Sequence, residues 1–524
     1  MATTYPSIFN DVIGPVMRGP SSSHCAAALR IGRLGRDLMN GRIERVLLEL
    51  DSRGSLAFTH ASQGSDMGLC GGLLGWDTPD ERLLDSAAAL EKAGIRIDIR
   101  IGEYHDAHPN TYRLTLSNSE ESHHMIAIST GGGMVEIVEV DGVPLSIQGD
   151  YFETLIRVDG VDMALHETLK HHVTAEDILL HAGTDSTLIE IRSRKPLSEP
   201  LRTLLASQKG VAWVRTLAPV LPVLSRRDMQ VPFTTSAQML DWNRDRNLDL
   251  AALALDYETA RGDIPPAEVL RQMEGIVQVL RRSIAQGVAG TRFADRILGV
   301  QSAGFKAAME SGALLEAGML NLMILYVTAL MEVKSAMGVI VAAPTAGSCG
   351  ALPGAVIGAA DALGRSETDL ARAMLAAGII GVFISAHSTF AAELSGCLAE
   401  CGSGSGMAAA ALVTLAGGSA RQAVDAASIA IQNVLGLICD PVANRVEVPC
   451  LGRNVMAASN ALACANMALA GCDAVIPLDE VIETMDPVGK SLPMELRCTA
   501  LGGLSITPTS KAIEKKLSCS RRSP

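Results

Sequence analysis

The sequence predicts a mixed α+β N-terminal half followed by an all-helical C-terminal half. Two observations predict this. Short apolar or alternating runs of strand length recur up to about residue 225. From about residue 235 strand signals become scarce, and amphipathic, then Ala- and Gly-rich, helical stretches run to about residue 475. The length of 524 residues exceeds what one core organises, so two or three domains are expected.

In chain order, Val46–Leu50 and Ile97–Ile101 predict strands, the second by its alternation of apolar and polar residues. Ser86–Ala93 predicts a helix, and Gly94 suits its end. Gly131–Gly133 predict a turn into a strand at Met134–Val138. A second α+β stretch holds strand-like Thr154–Val158, Leu188–Ile191 and Val211–Arg215 around a helix-like Pro200–Leu205. Either a small regulatory domain resembling the ACT type or an extension of the first domain suits it. The helical half opens with amphipathic Leu270–Ala285, and loops are expected at Pro344–Gly350, Gly402–Gly406 and Asp440–Pro449. The expected boundaries are 1–150, 151–230 and 231–524. With only 3% aromatic residues, the helices must pack through small side chains.

The net charge of −13 argues against a nucleic-acid binder, which needs clustered positive charge. The N-terminus has neither a basic region nor an apolar core, so no secretory signal is read there. The most apolar stretch, Gly318–Met331, falls short of the ~20 residues of a membrane span and reads as a buried helix. A cytoplasmic location, with no membrane partner, is expected. Eleven cysteines, an odd number, then imply reduced thiols rather than a disulfide framework.

Three cysteines stand out by their surroundings. Cys397 opens the run to Gly406, and Cys439 and Cys450 bracket Asp440–Pro449. Each lies beside loop formers at an expected helix end, where backbone N–H groups stabilise an anionic sulfur. The spacing is no compact ferredoxin run, and burial as small apolar residues is the competing reading.

The segment Gly436–Asn454, the stretches Ala343–Gly350 and Gly396–Met407, and Thr499–Leu504 with Thr507–Thr509 resemble motifs of the iron–sulfur L-serine dehydratases. Gly19-Pro20-Ser21-Ser22-Ser23-His24, His108-Pro109-Asn110-Thr111 and Gly131–Gly133 resemble motifs of that family's β part, so the order is β part, then α part. The resemblance implies a [4Fe–4S] cluster held by Cys397, Cys439 and Cys450, with one iron open to act on the β-hydroxyl of a small amino-acid substrate. The implied reaction takes serine to pyruvate and ammonia. A homodimer is also implied.

Candidate substrate-binding groups follow. Ser21, Ser22, Ser23 and His24 stand on a turn after Pro20, where a helix N-terminus would bind a carboxylate or the serines would merely cap it. His108 and Asn110 offer hydrogen bonds, or form a surface turn. Thr345, Gly347 and Ser348 offer backbone N–H groups, or pack helices. Arg453 and Asn454 follow a ligand position directly. His24, His60 and His387 are the candidate proton-transfer groups.

The chain departs from the family pattern in places. Where the family has T-G-K-G-H-G-T-D, residues 59–66 read Thr-His-Ala-Ser-Gln-Gly-Ser-Asp, so Ala61 and Gln63 replace a lysine and a histidine. Gln63 cannot act as a base. Leu398 replaces a glutamine, and Cys349 and Cys401 are spare thiols. These departures admit an L-cysteine desulfidase-like elimination, or a non-catalytic iron–sulfur or amino-acid sensor, as alternatives.

Overall fold

The computed structural model describes residues 5–159, 163–183 and 186–520. Its first layer is a six-stranded sheet in the order Arg96–Gly102, Arg45–Asp51, Thr111–Ser117, Ser122–Gly131, Met134–Val140 and Val143–Ile147. The first pair is parallel and the rest are antiparallel. Parallel neighbours need a long crossover, and the segment carrying helices Ser65–Leu73 and Ser86–Lys92 supplies it. Helix Ala27–Leu38 lies directly against Ser65–Leu73. A Cβ on Gly72 would stand 2.0 Å from the Leu29 carbonyl oxygen, and one on Gly68 2.0 Å from that of Cys25. Only glycine permits this approach, and it pins the turn carrying His24 against the crossover.

The second sheet has the order Val211–Leu217, Phe152–Asp159, Ser186–Ser193, Asp177–Ala182, all antiparallel. With helices Met163–His172 and Glu199–Ala206 it runs β-α-β-β-α-β along the chain. Ile156, Val158, Ile189 and Ile191 face those helices, forming a core of their own, while Leu155, Leu188 and Leu217 join the core of the first sheet. The alternation along these strands is what divides the two faces.

The helical half is built around Ser403–Leu415, which packs against Ala351–Ala362, Glu367–His387, Ala420–Gln432 and Cys450–Leu469. Its expected loop at Gly402–Gly406 is instead helical: a π-helical turn Leu398–Gly402 runs into Ser403–Leu415. The glycines there serve packing rather than turning. A Cβ on Gly406 would meet the Ile431 side chain at 2.7 Å. The apolar stretch beginning at Gly318 forms the helix Met319–Ser335. Two other helical runs, Glu367–His387 and Leu398–Leu415, are long and apolar enough to cross a membrane, but 78% and 89% of their apolar windows are buried inside the fold.

The N-terminal segment belongs physically to the helical half. Ile8, Phe9, Val12, Ile13 and Met17 enter its core, and Val16–Met17 pairs antiparallel with Ile340–Val341. The chain then crosses to the first sheet at residues 18–27. That crossing places Ser21–His24 at the seam between the two halves.

Candidate active site

Two buried groups of side chains meet at this seam. The first is a thiol pocket. Cys397, Cys401, Cys439, Cys450 and Cys498 are all buried, at 1–6% exposure. Cys397, Cys401, Cys439 and Cys498 pack together with Ala351, Ala392 and Ala457. Cys397 shares a side-chain hydrogen bond with Cys401, and Cys439 with Cys498; these bonds, then burial, push the Cys401 and Cys439 thiols well up. Burial likewise raises Cys450, against the pull of nearby Lys334. Lys334 is fully buried and donates to the Val446 carbonyl. Arg453 donates to the Ile438 carbonyl at 2.8 Å and to Asp440 Oδ1 at 2.6 Å, so it clamps the backbone on both sides of Cys439.

The loops that present these thiols are conformationally unusual. Ala443, Asn444, Cys498 and Ala500 all have positive φ, between 49° and 59°. Non-glycine residues rarely adopt this region, and such strain clusters at functional sites. Asn454 organises the opposite wall. Its side-chain oxygen accepts from the N–H groups of Gly350 and Ala351, and its nitrogen donates to the carbonyls of Gly347 and Cys450. Asn454 is thereby saturated by the Thr345–Ala351 loop. Thr345 donates to Glu400 Oε1 at 2.6 Å and bonds the Ser348 hydroxyl at 3.1 Å. Gly347 has no side chain because a Cβ there would meet Glu400 Oε1 at 2.4 Å.

The second group is a polar nest centred on His24. The π-helical turn Ser22–Ala26 carries it, fully buried. Its Nε2 lies 2.7 Å from Thr59 Oγ1, and the Thr59 hydroxyl donates to the Ser55 carbonyl at 2.7 Å. Thr59 has one proton to give, so its oxygen accepts from His24, which fixes the proton on Nε2. Nδ1 then accepts from the Ser21 hydroxyl at 2.9 Å. Burial, with the nearby His60, pulls the His24 pKa down to about 3, so His24 is neutral at physiological pH. Glu393 Oε1 stands 3.6 Å from Nδ1. Around this centre the polar atoms lack partners: Ser55 Oγ, Asn110 Nδ2 and Oδ1, Ser129 Oγ and Glu393 Oε2 are all buried without a hydrogen bond. Buried polar groups are ordinarily satisfied, so the nest is shaped for something that brings its own donors and acceptors.

The two groups are joined. Ser22 Oγ accepts from the Ala346 N–H at 3.2 Å, linking the N-terminal turn to the Thr345 loop. Gln63 donates to Asn444 at 3.1 Å and to the Cys498 sulfur at 3.7 Å. Gly131, at φ 108°, lies so close to Ala391 that a Cβ would stand 3.0 Å from its nitrogen. Ser23 is buried on the same turn.

The remaining residues named from sequence lie further out. His60 pairs with Asp66 at 2.8 Å and is partly exposed, 20% of its side chain. His108 Nδ1 accepts from the Asn110 N–H at 3.2 Å. His387 is exposed and meets the Thr234 carbonyl at 3.1 Å. Cys349 is buried against the Met331 sulfur. The side chain of Cys519 lies outside the described residues. Glu393, Glu400, Lys334 and Cys498 were not singled out from sequence. The one available signal was a charge set in an apolar stretch, as at Lys334 and Glu393.

A buried, thiol-lined centre beside an unsatisfied polar nest, at the seam of an α+β part and a helical part, defines an enzyme with an enclosed site for a small polar molecule. The serine dehydratase alpha chain family matches residues 244–505. An L-serine dehydratase alpha chain of Peptoniphilus asaccharolyticus is 36% identical over 283 residues, 54% of this chain and 97% of its own length. An L-serine dehydratase of Streptomyces coelicolor is 29% identical over 435 residues, 82% of this chain and 91% of that one. A Bacillus subtilis protein named "Probable L-serine dehydratase, beta chain" is 41% identical over 152 residues, 29% of this chain and 68% of its own. The chain therefore belongs to the serine dehydratase family of lyases, with beta-like and alpha-like parts on one polypeptide.

Proposed function

We propose that this chain eliminates water from L-serine to give pyruvate and ammonia, with a [4Fe–4S] cluster held by Cys397, Cys439 and Cys450. The observation that supports the reading most is the thiol pocket itself: five buried, unbridged cysteines, with the cations Lys334 and Arg453 beside them. Soft thiolate donors suit iron–sulfur chemistry, and buried cations stabilise an anionic cluster. Among the described residues no three His, Cys, Asp or Glu side chains converge on a single metal ion, whereas a multi-iron cluster spreads its ligands over a wider pocket.

A bound cluster with an open iron supplies a Lewis acid for the β-hydroxyl. The chain's own groups do the rest. Asn110, Ser129 and Ser55 offer unpaired donors and acceptors for the substrate amine and carboxylate. Holding those groups orients the Cα–H and Cβ–O bonds for elimination. The seam, closed by Gly131 against Ala391, excludes water from a reactive enamine. Free thiols fit a reducing cytoplasm, which is part of the proposal, as is a homodimer in solution.

The test is anaerobic reconstitution of the full chain with iron and sulfide, followed by assay of a panel of L-amino acids. Ammonia and pyruvate from serine, lost on exposure to air, are the expected result. Sulfide from cysteine with no turnover of serine would overturn the substrate. A bound cluster with no turnover of any amino acid would overturn the activity.

A further inference from the structure

The reaction proposed above needs a base for the Cα proton, and the histidines do not suit it. His24 has its Nδ1 lone pair engaged by Ser21 and is held neutral far below its usual range. His60 is tied to Asp66, and His387 faces solvent at Thr234. Gln63 has no basic atom.

Resting on that functional reading, we propose that Glu393 is the catalytic base, taking the substrate Cα proton on Oε2. Glu393 sits on the short helical turn Ala392–Ser395, four positions before Cys397, and its neighbour Ala392 packs directly on the thiol pocket. The residue is only 7% exposed, and Oε2 is buried with no hydrogen-bond partner. Oε1 faces His24 Nδ1 at 3.6 Å. The Asn110 amide lies against the same carboxyl but off hydrogen-bonding geometry, which leaves both of its polar atoms unpaired. Apart from its own backbone N–H and the Asn110 amide, nothing polar among the described residues supports this buried carboxyl, and Oε2 is left without a hydrogen bond.

The remaining charged or titratable neighbours are Glu400, whose charge repels Glu393, and Tyr112, whose phenol Glu393 raises. Burial, more than Glu400, lifts the Glu393 carboxyl to about 7, within the range useful for proton transfer at neutral pH. In the step itself the Cα–H bond breaks and its proton passes to Oε2. The freed electron pair becomes the Cα=Cβ bond. The Cβ–O bond breaks with its pair on oxygen, which leaves as water on gaining the proton that Oε2 gives up, so the carboxylate is restored. The 2-aminoacrylate tautomerises to the imine, and water converts this to pyruvate and ammonia.

The experiment compares the wild-type chain with Glu393→Gln and Glu393→Asp after identical reconstitution. Glu393→Gln is expected to lose about 10²- to 10⁴-fold in kcat, with iron content and KM for serine little changed. Glu393→Asp is expected to recover part of the loss. In the wild type kcat rises with pH through a midpoint near 7, the value to which burial lifts Glu393. A second readout uses cluster-free protein. Because the carboxyl is raised in the folded state, the stability it contributes is whole below about 4.5 and is lost as pH rises to about 7, so Glu393→Gln removes that loss from the pH dependence of Tm. Unchanged kcat in Glu393→Gln, or loss of iron along with activity, would overturn the assignment. A wild-type chain that holds its cluster but turns over no amino acid would instead overturn the functional reading, and the catalytic role with it.

Discussion

The thiol pocket and the polar nest are both buried, and each is unfinished in a different way. The pocket holds more ligand groups than one open-iron cluster uses: five cysteines, with Lys334 and Arg453 as countercharges. The nest holds fewer partners than its atoms require, with unpaired Ser55, Asn110, Ser129 and Glu393. A surplus of soft donors fits a resident inorganic group. A deficit of hydrogen bonds fits a transient organic one that arrives with its own amine, hydroxyl and carboxylate. The difference separates where the cofactor would belong from where the substrate would.

The sharpest test of that division is within the thiols. Cys439→Ala is expected to abolish serine turnover, to below about 1% of wild type, along with most of the bound iron, because an open-iron cluster has no ligand to spare. Cys498→Ala is expected to retain iron, measured by iron and sulfide content. Equal loss in both would break the three-ligand reading and bring Cys498 into the set.

Next in size is the acid sensitivity of the nest. His24 is neutral in the folded state with its pKa pulled down to about 3, against 6.5 when unfolded. The unfolded chain therefore binds a proton that the folded one refuses. The stability this contributes is whole above about 6.5 and drains away as pH falls towards 3, by on the order of 4 kcal/mol. Replacing His24 with Asn is expected to flatten the fall in Tm between pH 6 and 4. An unchanged slope would place the acid-sensitive group elsewhere.

Arg453→Met probes the pocket's countercharge in the same way. It strips the cation from Asp440, which is 3% exposed and keeps only the Leu504 N–H among the described residues, and it frees the Ile438 carbonyl. Breaking a buried pair costs about 3–5 kcal/mol, read as a lower urea midpoint. Smallest is Gly406→Ala. Its Cβ would stand 2.7 Å from the Ile431 side chain, so overpacking of about 1–3 kcal/mol is expected. No loss of Tm would restore the loop reading of this glycine-rich segment.

Much of the architecture was legible in the residues. Alternation at Ile97–Ile101 and the glycine turn before Met134–Val138 foretold the strands Arg96–Gly102 and Met134–Val140, although the first, at the sheet edge, has Ile97 and Ile99 only half-buried and Ile101 exposed. The switch to small-residue helices foretold the helical half. Gly402–Gly406 misled because glycine serves turns and close packing alike, and only the neighbour across the interface, Ile431, tells them apart. Strands Thr111–Ser117 and Ser122–Gly131 went unread, although the first carries its own alternation in Tyr112, Leu114 and Leu116, all buried; the second is placed by partners on both sides.

By itself the sequence determined the two-part fold class and, through its motifs, the family. Only the tertiary structure decided what those motifs do to one another. It brought Cys498 beside Cys439 across a single bridge at Arg497. It set Lys334, from the end of an apolar helix, near the thiols. It buried His24 with both ring nitrogens engaged, and left Glu393 Oε2 without a hydrogen bond. Residue type and local spacing are properties of the chain. Whether a titratable group is buried, paired or free depends on segments hundreds of positions apart, and that is settled only when they pack.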